Sequence, residues 1–397
     1  MASTDRKATR EQIKTHNRRL ILRTIYDQGE ISRAEIARIT RLTRPTVSSI
    51  VAELIDQSLV AETGQTSSSG GKPARLLRLV PDSYYVIGLD LADSEFRGCL
   101  VNLRGEIRRR MVVPVPGSHG DEALALVFKL VDMLISAADS PLLGIGIGTP
   151  GLIDAEQGIV RRAINLDWEN LPLRQLLIEK YRMPVYIAND SQAATLAEYT
   201  FSQHSNVSNL VVVKIGVGIS SGIIINGQLF HGDGSGAGEI GHIQVVENGL
   251  RCRCGSDGCL ETVVSSPALL AQAQQLAQTN PDSALAVFAA HPDDLTIDDI
   301  VTMADDPAVQ QIIRTMGGYL GRTLAAMVGT LNIHRFVIGG ELARLGDTLL
   351  PTTRQAMDEY APPFLIGDTE LAISRLGQDI VVLGASALVL ADELGLV

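Results

Sequence analysis

Apolar residues in the first 80 positions recur at helical spacing and then alternate with polar ones. Over residues 9–28, Ile13, Leu20, Ile21 and Ile25 share one face and Gly29 supplies a stop, which predicts a helix. Ser32-Arg33-Ala34-Glu35 has the form of a capping box, and the short helix behind it ends near Thr40. Thr43 stands as another N-cap, Pro45 fits the first turn, and Val47, Ile50, Val51 and Leu54 form a buried stripe. Residues 59–62 and 74–80, on either side of a Gly/Ser-rich tip at 64–71, read as a two-stranded wing. From Tyr85 the pattern changes. Apolar strands at 85–89, 143–147, 185–188, 210–215 and 336–338 alternate with helical stretches, the mark of an α/β body. Several end in glycine-rich turns: Gly146-Ile147-Gly148, Gly216-Val217-Gly218 and Gly339-Gly340. Two similar α/β halves are compatible with this pattern, but periodicity does not reveal them.

A chain of 397 residues, 45% hydrophobic with 37 glycines, suits two or three soluble domains with a sizeable core. No stretch approaches the roughly 18 apolar residues of a membrane span. Residues 1–19 lack the apolar segment of a signal peptide, so a cytoplasmic protein with no membrane contact is expected. The net charge of −11 by itself argues against nucleic acid, but its distribution points the other way. Residues 1–80 hold 14 Lys and Arg against 8 Asp and Glu, whereas the rest hold 20 against 37. A basic head on an acidic body is the balance of a DNA-binding module attached to something else.

Three helices with a tight turn between the second and third, followed by a wing, make a winged helix-turn-helix over residues 1–80. Burying the Val47 stripe turns Pro45, Thr46, Ser48 and Ser49 outward, with Arg44 at the N-terminal end of the same helix. Hydroxyls and a guanidinium placed there suit base edges and phosphates in a major groove. Lys72, beside Gly70, Gly71 and Pro73, suits a minor groove or a phosphate. A helical domain that binds protein is the alternative; spacing, wing and local charge together favour operator DNA. One departure is Arg41, where a turn glycine is common.

Three of the four cysteines, Cys252, Cys254 and Cys259, fall within eight residues, and His242 lies just upstream. In a reducing compartment such a cluster favours metal over disulfides. Three thiolates and an imidazole suit tetrahedral zinc and leave no open position, so a structural zinc held by His242, Cys252, Cys254 and Cys259 is expected.

The surrounding segments, Gly238-Glu239-Ile240-Gly241-His242 and Gly258-Cys259-Leu260-Glu261-Thr262, resemble the signature of the ROK family of repressors and sugar kinases. The resemblance runs from about Arg10 to the C-terminus and includes Gly148-Thr149-Pro150-Gly151, Asn165-Leu166-Asp167-Trp168, Asn189-Asp190 and Gly339-Gly340-Glu341. It implies a two-lobed, actin-like ATPase body of the ribonuclease H-like, hexokinase type. The first lobe would span residues 81–192 with a C-terminal helix at about 380–397, and the second 193–379 with the zinc site. It also implies a sugar site formed by Asn165, Asn189, Asp190, Glu239, His242 and Glu261, where carboxylates and amides pair with hydroxyls. Asp190 matches the catalytic base of the kinases, and His242 is shared between zinc and sugar.

Family kinases carry a phosphate hairpin of the form Asp-x-Gly-Gly-Thr. Here the matching residues are Asp90-Leu91-Ala92-Asp93-Ser94, with both glycines replaced. Their second loop, Gly-Thr-Gly-Ile-Gly-Gly-Gly, is matched by Gly216-Val217-Gly218-Ile219-Ser220-Ser221-Gly222. Side chains in place of glycine bar backbone amides from the phosphates, and Asp93 adds like charge. The resulting expectation is a repressor, not an enzyme: a homodimer or homotetramer released from its operator by a sugar. A sugar kinase fused to a DNA-binding head is the alternative, and a body that answers to a partner protein is a third. Glucose, xylose, an amino sugar and a phosphorylated sugar all fit this reading.

Overall fold

The computed structural model describes residues 9–65, 74–92, 94–115, 117–202 and 207–396. The head comprises α1 (Arg10–Gln28), β1 (Glu30–Ser32), α2 (Arg33–Thr40), α3 (Arg44–Asp56), β2 (Val60–Gln65) and β3 (Arg75–Leu79). Local chemistry sets each boundary. Thr9 caps α1 in a capping box with Gln12, and Gly29, at φ 74°, follows its end. Ser32 N–H donates to the Glu35 carboxylate at 3.1 Å, and Glu35 N–H to the Ser32 hydroxyl at 3.3 Å. Arg41 closes α2 in the left-handed region at φ 58°, so the turn has the geometry a glycine would adopt. Thr43 caps α3, with Pro45 in its first turn. β1, too short to carry a period-two signal, pairs with β3 and makes the wing sheet three-stranded, in the order β1-β3-β2. Lys72 and the wing tip lie outside the described residues, as does Asp93.

The body begins with β4 (Tyr85–Leu91), β5 (Glu95–Asn102), β6 (Ile107–Pro114), α4 (Gly120–Ala137), β7 (Leu142–Thr149), β8 (Leu152–Asp154), β9 (Ile159–Ala163), β10 (Trp168–Leu171), α5 (Leu173–Tyr181), β11 (Val185–Asn189) and α6 (Asp190–Phe201). It continues with β12 (Leu210–Ile215), β13 (Ile219–Ile225), β14 (Gln228–Leu229), α7 (Ser266–Thr279), α8 (Ile297–Thr302), α9 (Pro307–Leu331), β15 (Arg335–Gly339), α10 (Gly346–Tyr360), α11 (Pro363–Ile366), β16 (Glu370–Ile373) and α12 (Ile380–Val389). Two five-stranded sheets share one order: β6-β5-β4-β7-β11 and β14-β13-β12-β15-β16. In each, the first three strands form an antiparallel meander and two parallel strands extend it beyond the first. The body is therefore two halves of one design.

Alternation along β12 decides what each face meets. Val211, Val213 and Ile215 pack into a core with α7, α9 and α10. Leu210 and Val212 point the other way, into a core with α6 and α12. These two helices stand between the sheets, α6 against β12 and β13, α12 against β4 and β7, and they pack on each other. A Cβ on Gly384 would lie 1.7 Å from the Ala193 carbonyl oxygen, and one on Gly146 1.8 Å from that of Ala385, so only glycine permits these approaches. A lobe boundary after residue 192 falls inside α6, which is continuous to Phe201.

Past α12 a π-helical turn (Leu390–Leu394) carries the chain onto the head. Leu390, Leu394 and Leu396 share one buried cluster with Ile21, Leu22, Ile25, Leu54 and Leu77 of the head and with Val86 and Leu103 of the body. Arg19 donates to the Asp392 carbonyl, and the Arg104 guanidinium lies 4.1 Å from the centre of the Tyr26 ring. Head and body thus share a core across residue 80. No helix among the described residues is long and apolar enough to cross a membrane. Leu394→Ala is expected to cost about 2–4 kcal/mol in denaturant unfolding. It should also speed amide hydrogen exchange in α1, at the opposite end of the chain; unaltered exchange there would refute a shared core.

Candidate functional site

The junction of β11 and α6 carries two polar residues, Asn189 and Asp190, at the start of a helix that stands between the sheets. Asn189 caps α6: its Oδ1 accepts from Ser191 N–H at 2.9 Å, and its Nδ2 donates to the Gly151 carbonyl at 3.0 Å. Asp190 is buried. Its Oδ1 accepts from Ser191 N–H at 2.8 Å, and its Oδ2 receives the Lys214 ammonium at 2.7 Å.

The loop after β14 supplies the opposite wall. A Cβ on Gly238, at φ 94°, would lie 1.8 Å from the Ser221 carbonyl oxygen, and Ser221 N–H donates to the Gly238 carbonyl at 2.8 Å. That contact pins the loop onto β13 and sets Glu239 near Asp190 and Glu261. Loss of solvation, and then the charges of Asp190 and Glu261, push the Glu239 carboxyl up to about 7. His242 Nε2 lies 3.9 Å from Glu239 Oε2, while Nδ1 faces the Cys252 Sγ at 3.7 Å. Arg253 donates to Asn165 Oδ1 at 2.6 Å and reaches within 3.7 Å of Glu261 Oε1. Asp190, Glu239, His242 and Glu261 therefore form one set, and Arg253 ties Asn165 to it. Asn189 adjoins the set, but its side chain is turned into the α6 cap.

His242, Cys252, Cys254 and Cys259 bring their ligand atoms within 4.8 Å of one another, a donor set able to hold a metal ion. Cys254 Sγ and Cys259 Sγ are 3.7 Å apart. The fourth cysteine, Cys99, lies in the core against α6 and α12, where burial pushes its thiol up to about 12. In the head, Val47, Ile50, Val51 and Leu54 are buried, and Arg44, Pro45, Ser48 and Ser49 are exposed on the opposite face of α3, with Thr46 half-buried.

Residues 86–392 match the ROK family model, and residues 15–67 match that of the MarR family. The chain belongs to the ROK family. It is 32% identical to the xylose repressor of Caldicellulosiruptor bescii over 96% of this chain and 97% of that one. It is 33% identical to a glucokinase of Halalkalibacterium halodurans, a match covering 79% of this chain and 96% of the glucokinase. A crystal structure of a ROK family transcriptional regulator, described as a homologue of the Escherichia coli MLC protein, superposes with a TM-score of 0.83. That match has 31% identity and covers 97% of this chain and 98% of the other.

Two charged residues of this ROK body, Lys214 and Arg253, escape a motif-based reading, and a third, Asp90, enters it only as the head of the altered phosphate hairpin. Lys214 is the one charge in the apolar strand β12, and Asp90 holds the same position in β4; each was visible as an interruption of an apolar run. Arg253 sits between two cysteines, where the thiols draw the eye. Asp90 is buried with Oδ1 lacking a hydrogen-bond partner, and burial pushes its carboxyl up to about 6, with Lys214 opposing and Asp190 reinforcing the shift. The native state thus holds this proton more tightly than the unfolded chain. The stability it contributes is fully present below about pH 4 and is lost as pH rises through about 6. A shift of that size corresponds to about 3 kcal/mol. Asp90→Asn is therefore expected to gain stability over wild type near pH 8 and none near pH 4. Thermal melts across that range measure it, and a gain independent of pH would contradict the assignment.

Proposed function

We propose that this protein is a sugar-responsive, DNA-binding transcriptional repressor whose kinase-like body binds a sugar without phosphorylating it. The observation that carries this reading is the extent of the matches. The xylose repressor aligns through head and body alike, whereas the glucokinase aligns almost end to end with the body alone. A winged helix-turn-helix with an exposed polar face, and a group of carboxylates and an imidazole of the kind that pairs with hydroxyls, support it further. The altered loop supports the same reading: Ser221, in place of a glycine, donates its hydroxyl to the Gly238 carbonyl at 3.2 Å. The DNA-reading residues are Arg44, Pro45, Thr46, Ser48 and Ser49, with Lys72, which falls between β2 and β3 in sequence. The sugar-binding residues are Asp190, Glu239, His242, Glu261 and Asn165, with Asn189 holding the strand–helix junction.

Zinc fits the Cys₃His cluster. Metal–sulfur bonds of about 2.3 Å at tetrahedral angles put two sulfurs about 3.8 Å apart, and the Cys254–Cys259 separation is 3.7 Å. Bound there through His242 Nδ1, zinc would fix the imidazole so that Nε2 stays beside Glu239 on the sugar side. One zinc per chain is expected by elemental analysis of protein purified without added metal. Cys254→Ser should lower both zinc content and melting temperature; folded protein devoid of metal would remove zinc from the account.

A sugar can weaken DNA binding only by preferring one of two conformations, and only by its differential affinity for them. The packed elements for such coupling are continuous: α6 begins at Asp190, packs on α12, and α12 leads into the core of the head. In a homodimer, moving one head against the other would misalign two half-sites about one helical turn apart. Glu239→Ala and Asp190→Ala are expected to keep operator affinity and to weaken sugar binding about 10- to 100-fold, the cost of a lost charged hydrogen bond. Anisotropy of labelled operator across a sugar titration measures both. Mutants that release DNA at the wild-type sugar concentration would show the pocket to be misassigned.

A further inference from the structure

Asp90 and Lys214 occupy equivalent places in the two halves of the body. Each is the last residue but one of the first strand of its sheet. Each pairs in parallel register with a glycine of the next strand, Gly148 for Asp90 and Gly339 for Lys214. Each lies on the strand face turned toward the inter-sheet helices. Gly88, two residues before Asp90, abuts Val382 and Ser386 of α12, and Leu210 and Val212, preceding Lys214 on its face, pack into the core of α6 and α12. The duplicated fold has thus put an acid and a base at matching points on either side of the cleft floor, with Asp190 at the start of α6 as a third charge.

The pairing among them is specific. The Lys214 ammonium meets Asp190 Oδ2 at 2.7 Å, with side-chain exposures of 18% and 11%. Asp90 is 5% exposed, and its Oδ1 has no hydrogen-bond partner among the described residues. Asp90, in β4, and Asp190, just after β11, both come from the first sheet, and two carboxylates withdrawn from water repel each other unless a cation stands with them. Enzymes that transfer phosphate commonly meet such a need with a divalent ion brought in with the nucleotide. Here the cation is part of the chain.

We infer that Lys214 is a positioning residue of the sugar site: its ammonium, reaching from the second sheet, fixes the Asp190 carboxylate and offsets the buried Asp90 of the first sheet. The inference rests on the sugar-binding reading given above. Asp190 is then held at both oxygens, by Ser191 N–H and by Lys214, and presents a fixed acceptor to a sugar hydroxyl with no nucleotide present. The cleft floor carries its own counter-charge.

The test uses the full-length protein and two probes, xylose and glucose, titrated by calorimetry into wild type, Lys214→Gln and Lys214→Arg, with a melting curve for each. Lys214→Gln is expected to bind the recognised sugar at least about 10-fold more weakly, and Lys214→Arg, which restores the charge, within about 3-fold of wild type. A folded Lys214→Gln that binds as tightly as wild type overturns the inference. So does an equal loss in both variants, which would mean that only the shape of lysine matters. If Lys214→Gln does not fold, adding Asp90→Asn removes the unbalanced carboxylate and should restore folding; a double variant as unstable as the single one overturns the counter-charge. If wild type binds neither these nor other common sugars, the effector reading has failed. The melting order, with Lys214→Gln lowest and Lys214→Arg and the double variant near wild type, then still decides whether Lys214 balances the two carboxylates.

Discussion

The close contact between α6 and α12 is the constraint on which the body depends. Gly384 of α12 against the Ala193 carbonyl of α6 leaves no room for a side chain there, and Gly146 of β7 against the Ala385 carbonyl seats α12 as tightly on its sheet. Ala194 and Ala197 extend the small-residue face of α6 into the same core. Each helix also packs on a sheet, so the sheets cannot shift relative to one another without moving this pair. Close-packed helices of this kind slide or rotate between discrete arrangements and do not deform continuously. The first residue of α6 lies in the candidate sugar site, and the chain beyond α12 lies in the core of the head. A single packed joint therefore separates the place where a small molecule would bind from the place where DNA would.

The cleft wall opposite α6 follows a different logic. It is a loop with little regular structure, held by backbone contacts such as Gly238 on Ser221 and by the convergence of three cysteines and a histidine able to hold a metal ion. Ile240 and Leu260, the neighbours of Glu239 and Glu261, anchor it in the core beneath β13. Glu239 and Glu261 lie on either side of the cysteine segment, and Arg253, inside it, spans to Asn165 across the opening. The His242 ring faces both ways, with one nitrogen toward the cysteines and the other toward Glu239.

Much of this was legible along the chain, for reasons that differ between its parts. The boundaries of α1, α2 and α3 are written in their caps, because Thr9, Ser32 and Thr43 satisfy amides within three residues of themselves. Strand β12 was legible because its two faces are both buried and read as one apolar run. β1 was not, since three residues carry no period. The equivalence of the two halves was hidden because strand order is a property of pairing, not of spacing. In the site, residues to which a motif assigns a role were found, whereas Lys214, outside any motif, and Arg253, a bystander inside one, were not. The thiols and Glu239 announce themselves through spacing, whereas Lys214 and Asp90 acquire a meaning only when β12 and β4 are seen to face the same helices. Asn189 shows the converse: it falls in a motif, yet its amide is spent on the first turn of α6.

The π-helical turn at Leu390–Leu394 has a consequence for the order in which the molecule comes into being. During synthesis α1 to β3 emerge first and can make their helices and wing at once. The cluster that buries Ile21, Leu22 and Ile25 also contains Leu390, Leu394 and Leu396, which leave the ribosome about 370 residues later. Until then part of the inner face of the head has nothing of its own to rest against. A seated head therefore waits on the turn that follows α12, and a nascent or truncated chain without that turn lacks part of the core beneath its helix-turn-helix.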